Sequence, residues 1–82
     1  VERIEINVYN YQANYFRFLP LHPSQKEIKT SEDGTVFEYY LQPTYDFIQE
    51  LLLHGPDVEV IHPNSLRQIM KQRITEMAEL YQ

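Results

Sequence analysis

The residues able to do chemistry in this 82-residue chain are few and scattered. Three histidines occur: His22, His54 and His62. No two of them stand at the HxH or HxxxH spacing that lets two imidazoles reach one metal, so each reads as a loop or strand-end histidine. Ser24 lies two residues after His22. Nucleophilic catalysis needs a serine beside a base that an acid orients, and no glycine-rich elbow surrounds Ser24. Twelve carboxylates are spread along the chain. None forms an obvious acid–base pair, and a solvated surface explains them. The only glycines, Gly34 and Gly55, are too far apart for a phosphate loop and read as a turn and a helix cap. Without cysteine, a disulfide framework and a thiolate metal site are both excluded. These residues imply no cofactor and no enzyme.

Charge and size narrow the class further. Seven basic against twelve acidic residues leave a net charge of −5, which is not the electrostatic footprint of a general nucleic-acid binder or of a polybasic membrane patch. The longest aliphatic run is Leu51–Leu53, too short to span a membrane or to form a signal peptide. The absence of cysteine is compatible with the cytoplasm. The length fits a single domain covering residues 1–82. The first residue is Val1, which suggests a piece of a longer protein or a processed product. Seven of the apolar residues are tyrosines. The aliphatic core is therefore lean, and the tyrosines must complete it or sit at an interface.

The elements that position these residues follow from periodicity. Residues 3–9 alternate, with Ile4, Ile6 and Val8 on one side, and predict a half-buried strand. Tyr11, Tyr15, Phe18 and Leu19 recur at helical spacing, with Asn10 as cap and Pro20 as stop. After the irregular link 20–25, residues 26–31 predict a weak polar strand. Glu32-Asp33-Gly34 predicts a hairpin turn, with Asp-Gly supplying positive φ. Residues 35–41 are β-branched and aromatic and predict the returning strand. Pro43-Thr44 opens a helix with Tyr45, Ile48 and Leu52 on one stripe, beside Phe47 and Leu51. Gly55 and Pro56 stop it. Residues 57–62 predict a strand, and Pro63-Asn64-Ser65 starts a last helix whose face carries Leu66, Ile69, Met70, Ile74, Met77 and Tyr81. The fold class is α+β: a ferredoxin-like βαββαβ antiparallel sheet with an additional C-terminal helix. Right-handed crossovers would place both connecting helices on one face.

RNA recognition modules share this element order and stack bases on aromatics of the two central strands. Here Phe37, Tyr39 and Tyr40 lie on the third strand, but the first offers only Tyr9, and Glu5 and Glu38 make the strands acidic. Arg67, Lys71 and Arg73 in the last helix read as a solvated face, helped by the Arg73–Glu76 spacing.

Pro20-Leu21-His22-Pro23-Ser24-Gln25 leads into a strand. His54-Gly55-Pro56-Asp57-Val58-Glu59-Val60-Ile61-His62-Pro63-Asn64-Ser65-Leu66-Arg67 follows much later, and the chain closes on a helix ending in Leu80-Tyr81. Taken together and in this order, these blocks resemble the C-terminal region of WYL-domain bacterial transcriptional regulators. That region is the WYL C-terminal extension, or WCX. Its pattern is an HxSQ link, a turn–strand–helix block of the form fGpxveVlxPxxLR and a terminal helix ending near a tyrosine. The resemblance covers essentially the whole chain. It implies a larger regulator, in which an N-terminal winged helix-turn-helix binds DNA and a central Sm-like WYL barrel senses a ligand, often nucleic-acid-like. The extension would then have a ferredoxin-like fold and help to dimerise the protein or pack on the partner's WYL domain. The chain contains no Trp, so the ligand-sensing residues of the Trp-Tyr-Leu signature are not carried over.

From the extension's pattern, His22, Ser24 and Gln25 are candidates for a ligand or interdomain contact. The plainer reading of these three is a hydrogen-bonded loop that fixes the route into the second strand. Leu66 reads as core, and Arg67 as pairing with an acidic group in the first turn or across an interface. Tyr9, Tyr11, Tyr15, Tyr39 and Tyr40 are expected to form an exposed contact patch. The resulting expectation is a cytoplasmic regulatory and dimerisation domain, a homodimer on its own or within its parent. DNA would be bound elsewhere, a nucleotide-like or small-molecule effector is possible, and no membrane is involved. The alternative is a stand-alone small-molecule-binding module of the same fold, similar to amino-acid-sensing ACT-like domains.

Overall fold

A computed structural model describes residues 1–82. The elements run β1 (Glu2–Val8), α1 (Ala13–Phe18), β2 (Lys26–Ser31), β3 (Gly34–Leu41), α2 (Tyr45–Leu53), a 3₁₀ turn (Gly55–Asp57), β4 (Val58–His62) and α3 (Asn64–Glu79). The strands form one antiparallel sheet in the order β2-β3-β1-β4. This is an α+β architecture, with an element and strand order consistent with a ferredoxin-like arrangement.

The alternation read in β1 sets the sheet's two faces. Ile4, Ile6 and Val8 are buried and oppose Tyr39, Phe37 and Thr35 of β3. Ala13 and Phe16 of α1, Phe47, Ile48 and Leu51 of α2, and Leu66 and Met70 of α3 close over that face in one core. The opposite face carries Arg3, Glu5, Asn7, Glu38 and Tyr40. Glu5 stands directly across from Glu38, a like-charge pairing that costs stability. Arg3 resolves it, with Nη2 at 2.6 Å from Glu5 and Nε at 2.7 Å from Glu38. These two carboxylates hold the Arg3 guanidinium above its ordinary pKa, chiefly through the Glu38 hydrogen bond.

Three expected faces are corrected. In α1 the buried residues are Ala13 and Phe16, whereas Tyr11, Tyr15, Phe18 and Leu19 are all exposed. The cause lies just upstream: Asn10 and Tyr11 both adopt left-handed backbone, with φ of 54° and 66°. The chain turns a corner there, the helix starts later, and its inward face rotates. Asn10 does not cap the helix; its Nδ2 donates to Asp57 Oδ1 at 2.8 Å. In α2, Thr44 caps as expected, its hydroxyl accepting from the Phe47 N–H at 3.2 Å. Tyr45, however, is exposed, and the Arg73 guanidinium lies over its ring at 5.7 Å. Arg73 therefore turns to an aromatic face and makes no ion pair with Glu76. In α3 only Leu66 and Met70 are buried. The sixteen residues of α3 span about 24 Å, against about 17 Å for the five of β4. The last turns overhang the sheet, leaving Ile74, Met77, Leu80 and Tyr81 exposed.

The hairpin forms as read, but Gly34 alone supplies the positive φ, at 135°. A Cβ there would lie 2.5 Å from Asn7 Oδ1 and 2.8 Å from the Val8 carbonyl oxygen.

Candidate functional site

The link between α1 and β2 is the most densely hydrogen-bonded irregular segment of the molecule. Gln25 makes three bonds at a half-buried site. Its Oε1 accepts from the Leu21 N–H at 3.1 Å and from the Tyr39 hydroxyl at 2.6 Å, and its Nε2 donates to the Phe16 carbonyl at 2.9 Å. Tyr39 is fully buried and ends on Gln25. Burial pushes its phenol well above the ordinary tyrosine pKa. Two residues earlier, the Ser24 N–H donates to His22 Nδ1 at 3.1 Å. Nδ1 is therefore the acceptor nitrogen, and the Ser24 hydroxyl, 2.7 Å away, donates to it as well. Ser24 Oγ in turn accepts from the Tyr40 N–H at 3.0 Å. His22, Ser24 and Gln25 thus form a strap that ties the link to α1 and β3. The His22 ring also lines a shallow cleft of about 510 Å³ with Tyr40, Gln42, Asp46 and Glu50.

Arg67 sits at the other side of the sheet, in the first turn of α3. Its Nη1 donates to the Val60 carbonyl at 2.6 Å and approaches Glu59 at 3.4 Å. Glu59 also accepts from the Tyr9 hydroxyl at 2.5 Å. The Tyr9 bond and then the Arg67 cation hold the Glu59 carboxyl below the usual range. Reciprocally, the Glu59 bond raises Tyr9. In this register the Tyr9 N–H donates to the Asp57 carbonyl. Hydrogen-bonded pairs alternate along an antiparallel ladder, so Asn7–Glu59 is the next such pair, and Val60 turns its backbone groups away from β1. Arg67 therefore caps the free edge of β4.

The five tyrosines do not form one patch. Tyr39 is in the core, which corrects its expected exposure. Tyr40 lies near one end of β3, opposite Arg3. Tyr9 lies past the other end of β1, roughly 20 Å away at the strand rise. Tyr11 and Tyr15 belong to the α1 corner. Tyr9 and Tyr11 line the largest cleft, about 710 Å³, with Asn10, Asn14, Arg17 and the β2–β3 hairpin. Arg17 is already engaged there by Glu27 at 2.7 Å and by Asn14. With Thr30 adding a second bond, Glu27 is depressed to about 2.

The periodicity missed a groove between α2 and the overhanging end of α3. It is lined by Leu52, Leu53, Met77 and Leu80, with Arg73 and Glu76. The available signal was a helix one turn longer than the strand beside it. Nowhere do three or more His, Asp or Glu side chains gather to hold a metal ion. No helix is long and apolar enough to cross a membrane.

A one-sided α+β sheet domain, strapped by its HxSQ link and edge-capped by the arginine of its LR pair, is the class these observations define. The WCX-domain family model matches residues 1–78, and the chain belongs to that family, the C-terminal region of WYL-domain regulators. No curated protein matches the chain.

Proposed function

We propose that this chain is the C-terminal regulatory and dimerisation domain of a WYL-type DNA-binding transcriptional regulator, with a ferredoxin-like fold, working in the cytoplasm. The observation that carries this reading is the family match over residues 1–78. The chemistry of the surface supports it. In the link 20–25, His22, Ser24 and Gln25 spend their side chains on internal bonds, and the largest unspent groups are apolar. A surface of that kind serves contact rather than catalysis, and we assign the domain no catalytic step. The net charge of −5 fits a domain that leaves DNA to another part of the regulator.

Sequencing the coding DNA upstream of Val1 tests this placement. A helix-turn-helix followed by a β-rich segment carrying Trp-Tyr-Leu supports it. A start codon directly before Val1, or an unrelated catalytic domain, overturns it. A second reading, a small-molecule-binding module, is favoured by the cleft of about 710 Å³ between the α1 corner and the hairpin, with Asn14, Arg17 and Thr30 on its wall. Thermal shifts with amino acids and nucleotides separate the two: a rise of several degrees at saturating amino acid supports the module, and no shift with any of them removes it.

A further inference from the structure

We infer that the groove between the outer edge of β4 and α3 is a docking site for an extended acidic segment of a partner protein, which adds to β4 as a further strand. The groove encloses about 400 Å³. Its strand wall is the edge that Arg67 caps. Val58 and Val60 bury their side chains in the core, and by the ladder's alternation both turn their backbone groups away from β1. Its helix wall is one stripe of α3, where Arg67, Lys71 and Ile74 recur at i, i+4 and i+7 beside the buried Met70. From Arg67 to Ile74 the helix rises about 10 Å, the length of roughly three extended residues. A sheet edge with a wall of side chains alongside lets a peptide gain backbone hydrogen bonds from the strand and side-chain selection from the wall.

The charges at the groove identify the occupant. Lys71 is exposed and joins no ion pair within the chain, and Arg67 stands one turn before it. Arg67 is already engaged: its Nη1 holds the Val60 carbonyl at 2.6 Å and lies 3.4 Å from Glu59. An incoming acidic strand exchanges these bonds without loss. Its N–H replaces the guanidinium on the Val60 carbonyl, its carboxylate takes Arg67 and Lys71 together, and Glu59 keeps the Tyr9 hydroxyl. A neutral strand replaces the carbonyl bond but leaves Arg67 with no new acceptor. Two residues along the added strand, about 7 Å away, the next side chain on the helix side reaches Ile74, which is 53% exposed. An aliphatic residue fits there, so the recognised pattern is acid-x-aliphatic, running antiparallel to β4. A second copy of this chain does not supply it. An antiparallel second β4 would bring its own α3 on the same face and set Arg67 and Lys71 against a like pair. In β2 the helix-side acid, Glu27, is already held by Arg17.

The test is fluorescence anisotropy of the 82-residue chain with a labelled peptide, Thr-Thr-Glu-Thr-Val-Thr. Saturable binding is expected. Replacing the peptide's Glu with Lys is expected to weaken it roughly tenfold or more. N-methylation at the peptide's Glu and Val, whose N–H groups face β4, is expected to abolish it. Lys71→Glu, an exposed change, should leave far-UV circular dichroism unaltered and remove most of the preference for Glu over Lys. Arg67→Ala should narrow the difference between the Glu peptide and its Gln form. A chain that binds no peptide overturns the inference. So does binding indifferent to N-methylation, or equal binding of the Glu and Lys peptides by the wild type. Peptide binding that falls as the chain concentration rises would show a second copy on the same edge, and would overturn it too. Each of these results would leave the placement in a WYL regulator standing, because that depends on the upstream coding sequence.

Discussion

The HxSQ link and the end of α3 both lie near the surface, yet they behave in opposite ways. In the link, polar side chains turn inward until Gln25 has three partners and Ser24 has two. At the end of α3, apolar side chains turn outward with nothing over them. The contrast teaches that a recognisable motif and an uncovered apolar surface need not coincide. A motif of exacting geometry can be wholly occupied in holding the fold. The apolar surface left uncovered is then made of ordinary residues whose only distinction is that the fold runs out of sheet to cover them.

Substitutions in the two regions can break this contrast. The largest effect is expected from Gln25→Ala. It strands the buried Tyr39 hydroxyl and frees the Leu21 N–H and Phe16 carbonyl. Unfolding in urea should show a loss of about 3 kcal/mol, since each buried unsatisfied group costs about 1–3 kcal/mol. A loss below about 1 kcal/mol would mean that the strap is ornamental. Ser24→Ala should cost about 1 kcal/mol, since it removes one donor to His22 and one acceptor for Tyr40, both replaceable by water at this half-buried site. Heat denaturation of that variant checks the value.

Outside both regions, the Arg17–Glu27 pair should give a smaller effect with a defined pH window. Glu27 is depressed from 4.5 to about 2 in the folded state, first by Arg17 and then by Thr30. Its contribution is therefore present above pH ~4.5 and disappears as pH falls towards 2. The gap in urea midpoint between wild type and Arg17→Met should be constant at neutral pH and close by pH 2. The smallest effect on folding belongs to the overhang. At concentrations where the chain is monomeric, Leu80→Ser should change the unfolding free energy by less than ~0.5 kcal/mol. A larger loss would show that α3 is held along its whole length, and would erase the contrast.

Much of this architecture was legible from residue order. The alternation in residues 3–9, the Thr44 cap and the Gly55 stop each express a local rule. Each appears where that rule places it, because the rule involves only neighbours in sequence. The inward face of α1 was not legible, because it depends on two successive left-handed residues, Asn10 and Tyr11, which no Gly or Pro announces. The fate of α3 was legible in its period and hidden in its extent, since that period continues past the end of β4. Gln25 was singled out as a candidate contact. Its engagement there follows from Tyr39 facing the core, which is a matter of register between β1 and β3 rather than of the link itself.

Arg67 on the Val60 carbonyl has a consequence for aggregation. A sheet with two bare edges can add copies at both and grow into a fibre. Here the outward Val60 carbonyl of the β4 rim is taken by a guanidinium from the chain itself, while the β2 rim bears Lys26 and Lys29 instead. Strand addition at β4 would have to displace that bond first. Replacing Arg67 with a short apolar residue would free that carbonyl and is expected to leave the β4 rim easier to extend.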